Sequence, residues 1–112
     1  MQPETAKYLQ DILDAARAIE QYVHDRTEQD YLRLRWLRDA VHWNFCVIGE
    51  AMSQLRRIDE PTLERITDYW KIIGLRNQLI HGYGVINHQI TWEICCEKLP
   101  ILLEELNELL GS

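Results

Sequence analysis

The 112-residue sequence contains few cysteines, no long apolar run and no excess of positive charge. Its cysteines are Cys46, Cys95 and Cys96, and an odd count with an adjacent pair fits neither a disulfide framework nor the ligand spacing of a zinc site. His42 and Cys46 stand four residues apart and could share a helix face, but two ligands do not make a metal site. Core packing is the expected role of both, and we predict that the protein binds no metal and no cofactor.

No apolar stretch approaches the roughly 20 residues that a membrane-spanning helix needs. The N-terminal residues lack the basic and apolar regions of a signal peptide. A content of 46% hydrophobic and 27% charged residues is typical of soluble globular proteins. We therefore expect a cytoplasmic protein without membrane contact, whose residues 1–112 form a single domain.

The formal net charge of −6 argues against a general nucleic-acid-binding surface. Lys and Arg outnumber Asp and Glu only in the middle of the chain, by eight to six over residues 31–76. A site for a polyanion should therefore lie there and use a few specific arginines. Ordinary solvated helix faces account for most of the other charges.

The apolar residues recur at helical spacing, and no segment alternates as a strand does. This pattern predicts an all-α fold, an antiparallel bundle of about four main helices. The first two segments cover about residues 4–23 and 29–56, and the third begins at Asp59-Glu60-Pro61 and ends near Gly82-Tyr83-Gly84. Asn87 is the expected N-cap of the fourth segment, and Pro100 is expected to kink it.

The second segment is long for a small domain, about 40 Å at 1.5 Å per residue. Together with Trp36 and Trp43, it offers more apolar surface than three shorter helices need to cover. We therefore expect the protein to form a homodimer.

The segment Ile73–Tyr83 gathers a cation, an amide, an imidazole and a phenol near a helix end. On an ideal helix Arg76 and His81 point about 140° apart, whereas Asn77 and His81 share a face. Metal-free RNA cleavage needs a base for the ribose 2′-OH, an acid for the leaving 5′-oxygen and a cation at the phosphate. Histidine can serve in either proton transfer and arginine binds phosphate oxygens, so two copies of this segment across a dimer could divide the tasks.

Each of these residues also has an ordinary structural explanation. Arg76 could pair with a carboxylate, His81 could interact with the helix dipole, and Tyr83 could form an amphipathic edge of the core. The residues alone leave both explanations open.

The string Arg76-Asn77, then His81-Gly82-Tyr83, resembles the signature of HEPN-domain proteins. It is most similar to the HepT-like ribonuclease toxins of type VII toxin–antitoxin systems, which pair with a minimal nucleotidyltransferase antitoxin. The similarity covers about residues 30–106, and further matching segments are Ile48-Gly49-Glu50-Ala51, Trp70, Ile73-Gly74, Ile90-Thr91-Trp92 and Leu99-Pro100.

This resemblance implies an all-α homodimer with a cleft between protomers and a metal-independent endoribonuclease activity on RNA. It casts Arg76 and His81 as catalytic, Asn77 as a supporting or substrate-binding residue, and Tyr83 as the residue that the cognate antitoxin modifies with AMP. A bulky anion on Tyr83 would block the cleft and repel RNA. Glu50 could face the site or contact the partner helix.

Two other functions remain open. The chain could be a non-catalytic HEPN module that binds nucleotides or serves as the partner subunit of a nucleotidyltransferase, within a dimer or a larger complex. It could also be a plain helical dimerisation protein. The complete set of Arg76, His81 and Tyr83 favours the ribonuclease.

Overall fold

The computed structural model describes residues 1–82 and 86–111 and consists of α-helices. No strand occurs among the described residues, so the predicted all-α fold is confirmed. The helices are α1 (Pro3–Val23), α2 (Glu28–Arg33), α3 (Arg35–Leu63), α4 (Tyr69–His81), α5 (His88–Glu97) and α6 (Leu99–Gly111).

The predicted second segment is divided at Leu34, whose backbone is extended (φ −98°, ψ 100°). Thr27 and Asp30 form a capping box that starts the short helix α2. The extended Leu34 then separates α2 from α3. At its end, the Arg38 guanidinium donates to the carbonyl of Tyr31 at 3.1 Å and also to that of Leu32. These bonds occupy carbonyls that a continuous helix would have paired with backbone N–H groups.

The predicted helix start at Asp59 is a kink inside α3, with φ −155° and ψ 65° at that residue. Its carboxylate accepts hydrogen bonds from the Thr62 hydroxyl at 2.7 Å and from the buried Thr5 hydroxyl at 2.9 Å. The helix then ends at Leu63, earlier than predicted, and Asp68 adopts a left-handed conformation (φ 56°) just before α4. The sequence pattern thus indicated the correct capping residue but joined two separate helices.

Asn87 is the N-cap of α5, as predicted, and its side chain accepts from the Ile90 N–H at 3.1 Å. The predicted kink at Pro100 is a break between two helices. Pro100 is the second residue of α6, where its missing N–H has no intrahelical acceptor to lose. The described part of the chain therefore contains six helices where about four were predicted.

α3 is the central helix, because α1, α2 and α4 all pack against it. α6 covers α1, and α5 packs against α6, α2 and α1, whereas α4 packs mainly against α3 and so keeps an outer face exposed. Within the described ranges, no helix is both long and apolar enough to cross a bilayer. The fully buried side chains at the centre of the core include Leu9, Ile12, Ile19, Tyr31, Leu37, Phe45, Ile48, Met52 and Leu55.

Candidate active site

α4 carries three of the four residues singled out from the sequence, namely Arg76, Asn77 and His81. The Arg76 side chain is 22% exposed and faces α3, whereas Asn77 and His81 are exposed. The helix ends at His81, and the N–H of the C-cap residue Gly82 donates to the Gln78 carbonyl at 2.8 Å. His81 therefore occupies the last turn of α4. Tyr83, the fourth residue, lies outside the described residues.

The Arg76 guanidinium is held by two acceptors. Its Nη2 donates to Glu50 Oε2 at 2.7 Å, and its Nη1 donates to Asn77 Oδ1 at 3.0 Å. Gln54 donates in turn to the other oxygen of Glu50 at 3.1 Å. The ion pair expected as one explanation of Arg76 is thus present, and Glu50 faces the candidate site. The buried Nε of Arg76 has no hydrogen-bond partner within the described ranges.

Gly49 allows Arg76 to approach α3. A Cβ built on Gly49 would lie 2.4 Å from the Arg76 Cβ and 2.6 Å from its Cγ, closer than real side chains come. Only glycine leaves room there for the arginine stem. Gly49 stands in one of the segments that resemble the family, but no role was predicted for it. A glycine inside a long helix is itself a signal, because it weakens the helix unless another chain segment approaches closely.

A largely apolar cavity of about 410 Å³ lies beside Arg76. Trp43 and Val47 of α3 and Ile80 of α4 line it, and the Trp43 and Ile80 residues are 70% and 40% exposed. Cys46 lies in its wall, where burial raises the pKa of the thiol and the nearby Arg76 charge lowers it in part. The cavity therefore joins an apolar surface to the Arg76 guanidinium.

A second polar cluster fixes the start of α5. His42 Nε2 lies 2.9 Å from the buried Tyr31 hydroxyl, and the His42 and His88 rings stack with centroids 5.6 Å apart. Burial and the neighbouring His88 lower the pKa of His42 to about 4, and burial also lowers the pKa of His88. The predicted packing role of His42 is what the structure shows. No three His, Cys, Asp or Glu side chains of the described residues are grouped as metal ligands.

Comparison with known proteins gives a consistent result. The family model "Ribonuclease HepT-like" matches residues 12–109. A protein named "Gamma-glutamylcyclotransferase and putative RNase" from Methanocaldococcus jannaschii is 33% identical over 95% of this chain, which spans only 47% of that longer relative. A second protein of that organism, named "Putative RNase", is 32% identical over 92% of this chain and 84% of its own length.

A protein of Thermococcus cleftensis named "Probable ribonuclease HepT" is 26% identical over 91% of this chain and 92% of the relative. No solved structure matches the chain. The similarity to these proteins extends through α3 and α4, so the Arg76 network described above lies within the matched region.

Proposed function

The chain belongs to the HepT-like ribonuclease family, and on that premise we propose that it is a metal-independent endoribonuclease that uses Arg76 and His81. The observation that carries the proposal is the fixed guanidinium of Arg76 on the helix whose last turn presents His81 to solvent. Asn77 supports it, because its amide oxygen orients Arg76 while its side chain stays exposed to a substrate.

The proposed reaction is transesterification within RNA. A neutral imidazole takes the proton from a ribose 2′-OH, and the 2′-oxygen forms a bond to the adjacent phosphorus. The bond from phosphorus to the 5′-oxygen breaks, and a protonated imidazole gives that oxygen a proton. The products are a 2′,3′-cyclic phosphate and a free 5′-hydroxyl. Arg76 neutralises the charge that grows on the phosphate oxygens.

The two proton transfers call for two imidazoles, and we propose that they come from two protomers of a homodimer. The exposed Trp43 and Ile80 beside Arg76 support this proposal, because they offer an apolar surface next to the site. A two-fold axis at this surface would bring a second copy of α4 to the same cleft.

We further propose that the protein is a toxin that a cognate minimal nucleotidyltransferase neutralises by transferring AMP to Tyr83. The support is the family resemblance and the position of Tyr83, two residues beyond His81. An added AMP group would place a charged, bulky substituent next to the proposed catalytic histidine. A larger complex of the dimer with that partner is compatible with the exposed outer face of α4.

Cleavage of RNA by the purified chain tests this proposal. We expect His81→Ala to lower the rate by about 10²–10⁴-fold. The same variant should lose the growth arrest that expression of the parent causes. His24→Ala removes an exposed histidine at the end of α1 and serves as the matched control, with parental activity expected. Undiminished cleavage by His81→Ala would show that the catalytic assignment is wrong.

A modified substrate and a metal chelator test the reaction class. A 2′-deoxy residue at the cleaved position should stop the reaction, because it removes the attacking oxygen. EDTA should leave the rate unchanged. If the parent protein cleaves no RNA in any buffer, the non-catalytic partner-subunit function replaces the ribonuclease.

A further inference from the structure

The outer face of α4 combines four exposed positions that the proposed chemistry does not fully use. Trp70, Gly74, Asn77 and His81 follow one another at intervals of three or four residues, so they lie within about 60° of one another around the helix. The Trp70 residue is 57% exposed, and Gly74, Asn77 and His81 are exposed as well. We call this set the outer stripe of α4.

No contact among the described residues explains Gly74. A Cβ built on it would meet none of their atoms within 4 Å, in contrast to the close contact at Gly49. Glycine weakens a helix interior, so its presence here suits the close approach of a molecule from outside. A cavity of about 440 Å³ between α4 and α5 borders Gly74 and leaves that approach open.

The charge of α4 indicates which kind of molecule approaches. Among the six described helices, α4 alone has no Asp or Glu, although the whole chain has 18 of them. Its two cations lie beside the outer stripe rather than on it, because Lys71 is 3.8 Å from Asp68 Oδ2 and Arg76 faces α3 and pairs with Glu50. Glu93 and Glu97 of α5 line the far wall of the cavity and would repel a phosphate there, so a strand is expected over the outer stripe rather than inside the cavity. The outer stripe carries no carboxylate, exposes an indole and ends at the proposed catalytic His81, so a strand of the RNA substrate suits it as the occupant.

We infer that the outer stripe is a binding subsite for single-stranded RNA that leads to the cleaved bond. One base stacks on the Trp70 indole, the sugar–phosphate backbone passes over Gly74, and Asn77 and His81 meet the scissile phosphodiester. Trp70 and His81 lie about 16 Å apart along the helix axis, so the stacked base is separated from the cleaved bond by more than one nucleotide. This inference rests on the proposed ribonuclease function.

Binding of a nuclease-resistant probe to the full chain tests the subsite without cleavage. The probe is a fluorescent 2′-O-methyl RNA octamer, which lacks the attacking hydroxyl. Loss of base stacking in Trp70→Ala should weaken binding by roughly 5–150-fold, whereas Trp70→Phe should keep most of the affinity. The matched control is Tyr22→Ala, which removes a 38% exposed aromatic ring from α1 and should leave binding unchanged.

Substitutions at Gly74 test the passage of the backbone. Gly74→Gln should weaken binding at least tenfold, because its side chain occupies the path of the strand, whereas Gly74→Ala should have a smaller effect. In cleavage assays on ordinary RNA, Trp70→Ala should raise KM more than it lowers kcat, as expected for a contact made equally in the ground and transition states. Circular dichroism melting of each variant confirms that it folds.

The outcomes separate this inference from the proposed function. Weaker probe binding by Trp70→Ala, with an unchanged mass in sedimentation, supports the subsite. Equal binding by parent and Trp70→Ala overturns it, even if RNA is cleaved normally. A change of oligomeric state in Trp70→Ala or Gly74→Gln also overturns it, because the stripe would then be a protein interface. A parent that binds the octamer through Trp70 but cleaves no RNA keeps the subsite and refutes the ribonuclease.

Discussion

Replacing Gly49 with alanine should damage the protein at the contact between α3 and α4. The new Cβ would begin 2.4 Å from the Arg76 Cβ. That atom is bonded directly to the backbone and cannot rotate away, so the helices must separate by about 1 Å to reach normal contact distance. Overpacking of this kind costs about 1–3 kcal/mol of unfolding free energy. The better helix propensity of alanine offsets about 1 kcal/mol of that loss.

Gly74→Ala is the matched control, because it makes the same change inside a helix where no atom of residues 1–82 or 86–111 lies within 4 Å of the new Cβ. It should stabilise the protein by about 0.5–1 kcal/mol. The propensity gain is common to both variants, so the difference between their unfolding free energies gives the steric cost alone, about 1–3 kcal/mol. Urea unfolding followed by circular dichroism measures both values.

The same displacement should reduce activity. A shift of about 1 Å in a positioned group can lower a rate by about 10²-fold, so Gly49→Ala should cleave RNA far more slowly than the parent even at temperatures where it is folded. Equal stability of Gly49→Ala and Gly74→Ala, together with parental cleavage by Gly49→Ala, would refute the tight packing of Arg76 on α3.

Glu50→Ala should lower kcat about tenfold, because it releases the Arg76 guanidinium. Glu50→Gln should retain more activity, because its side chain still accepts a hydrogen bond from Arg76. Equal cleavage rates for the two variants would exclude a role of Glu50 in orienting Arg76. Burial lowers the pKa of His42 from 6.5 to about 4. As the pH falls, the imidazole is therefore protonated in the unfolded chain before it is protonated in the folded protein. The free energy of unfolding should decrease by about 1–2 kcal/mol from pH 7.5 to pH 5, after allowing for the partial solvent exposure of His42. Urea unfolding should show a smaller pH dependence for His42→Gln, and identical pH dependences would contradict the assignment. Tyr83→Phe should keep RNA cleavage but gain no AMP on co-expression with the cognate nucleotidyltransferase, as intact mass measures; modification at another residue would contradict the proposal.

The helical pattern of the sequence predicted the fold class, while tertiary contacts decided where helices divide. α1 begins one residue before its expected start, and Asn87 caps α5, as its residue type predicted. The break at Leu34 depends on Arg38, which bonds the carbonyls at the end of α2. That contact joins residues seven apart across the break, and apolar periodicity carries no information about it.

The sequence likewise predicted one part of the candidate site, while the other part depends on tertiary contacts. Spacing alone placed Asn77 and His81 on one face and Arg76 on another, which agrees with their different exposures. The pairing of Arg76 with Glu50 joins residues 26 positions apart and follows only from how α4 crosses α3. Gly49 contributes no side chain, so a search for chemically active groups overlooks it.

The packing of α3 also fixes the number of residues between two of its contact positions, His42 and Gly49. His42 stacks on His88, the first residue of α5, and Gly49 contacts Arg76 of α4, so both α4 and α5 are positioned by contacts with the same helix. These two positions are seven residues apart, which is two helical turns and about 10 Å. Inserting or deleting a single residue between them would rotate one contact by about 100° relative to the other, so the spacing within α3 is as much a requirement of the site as any of its side chains.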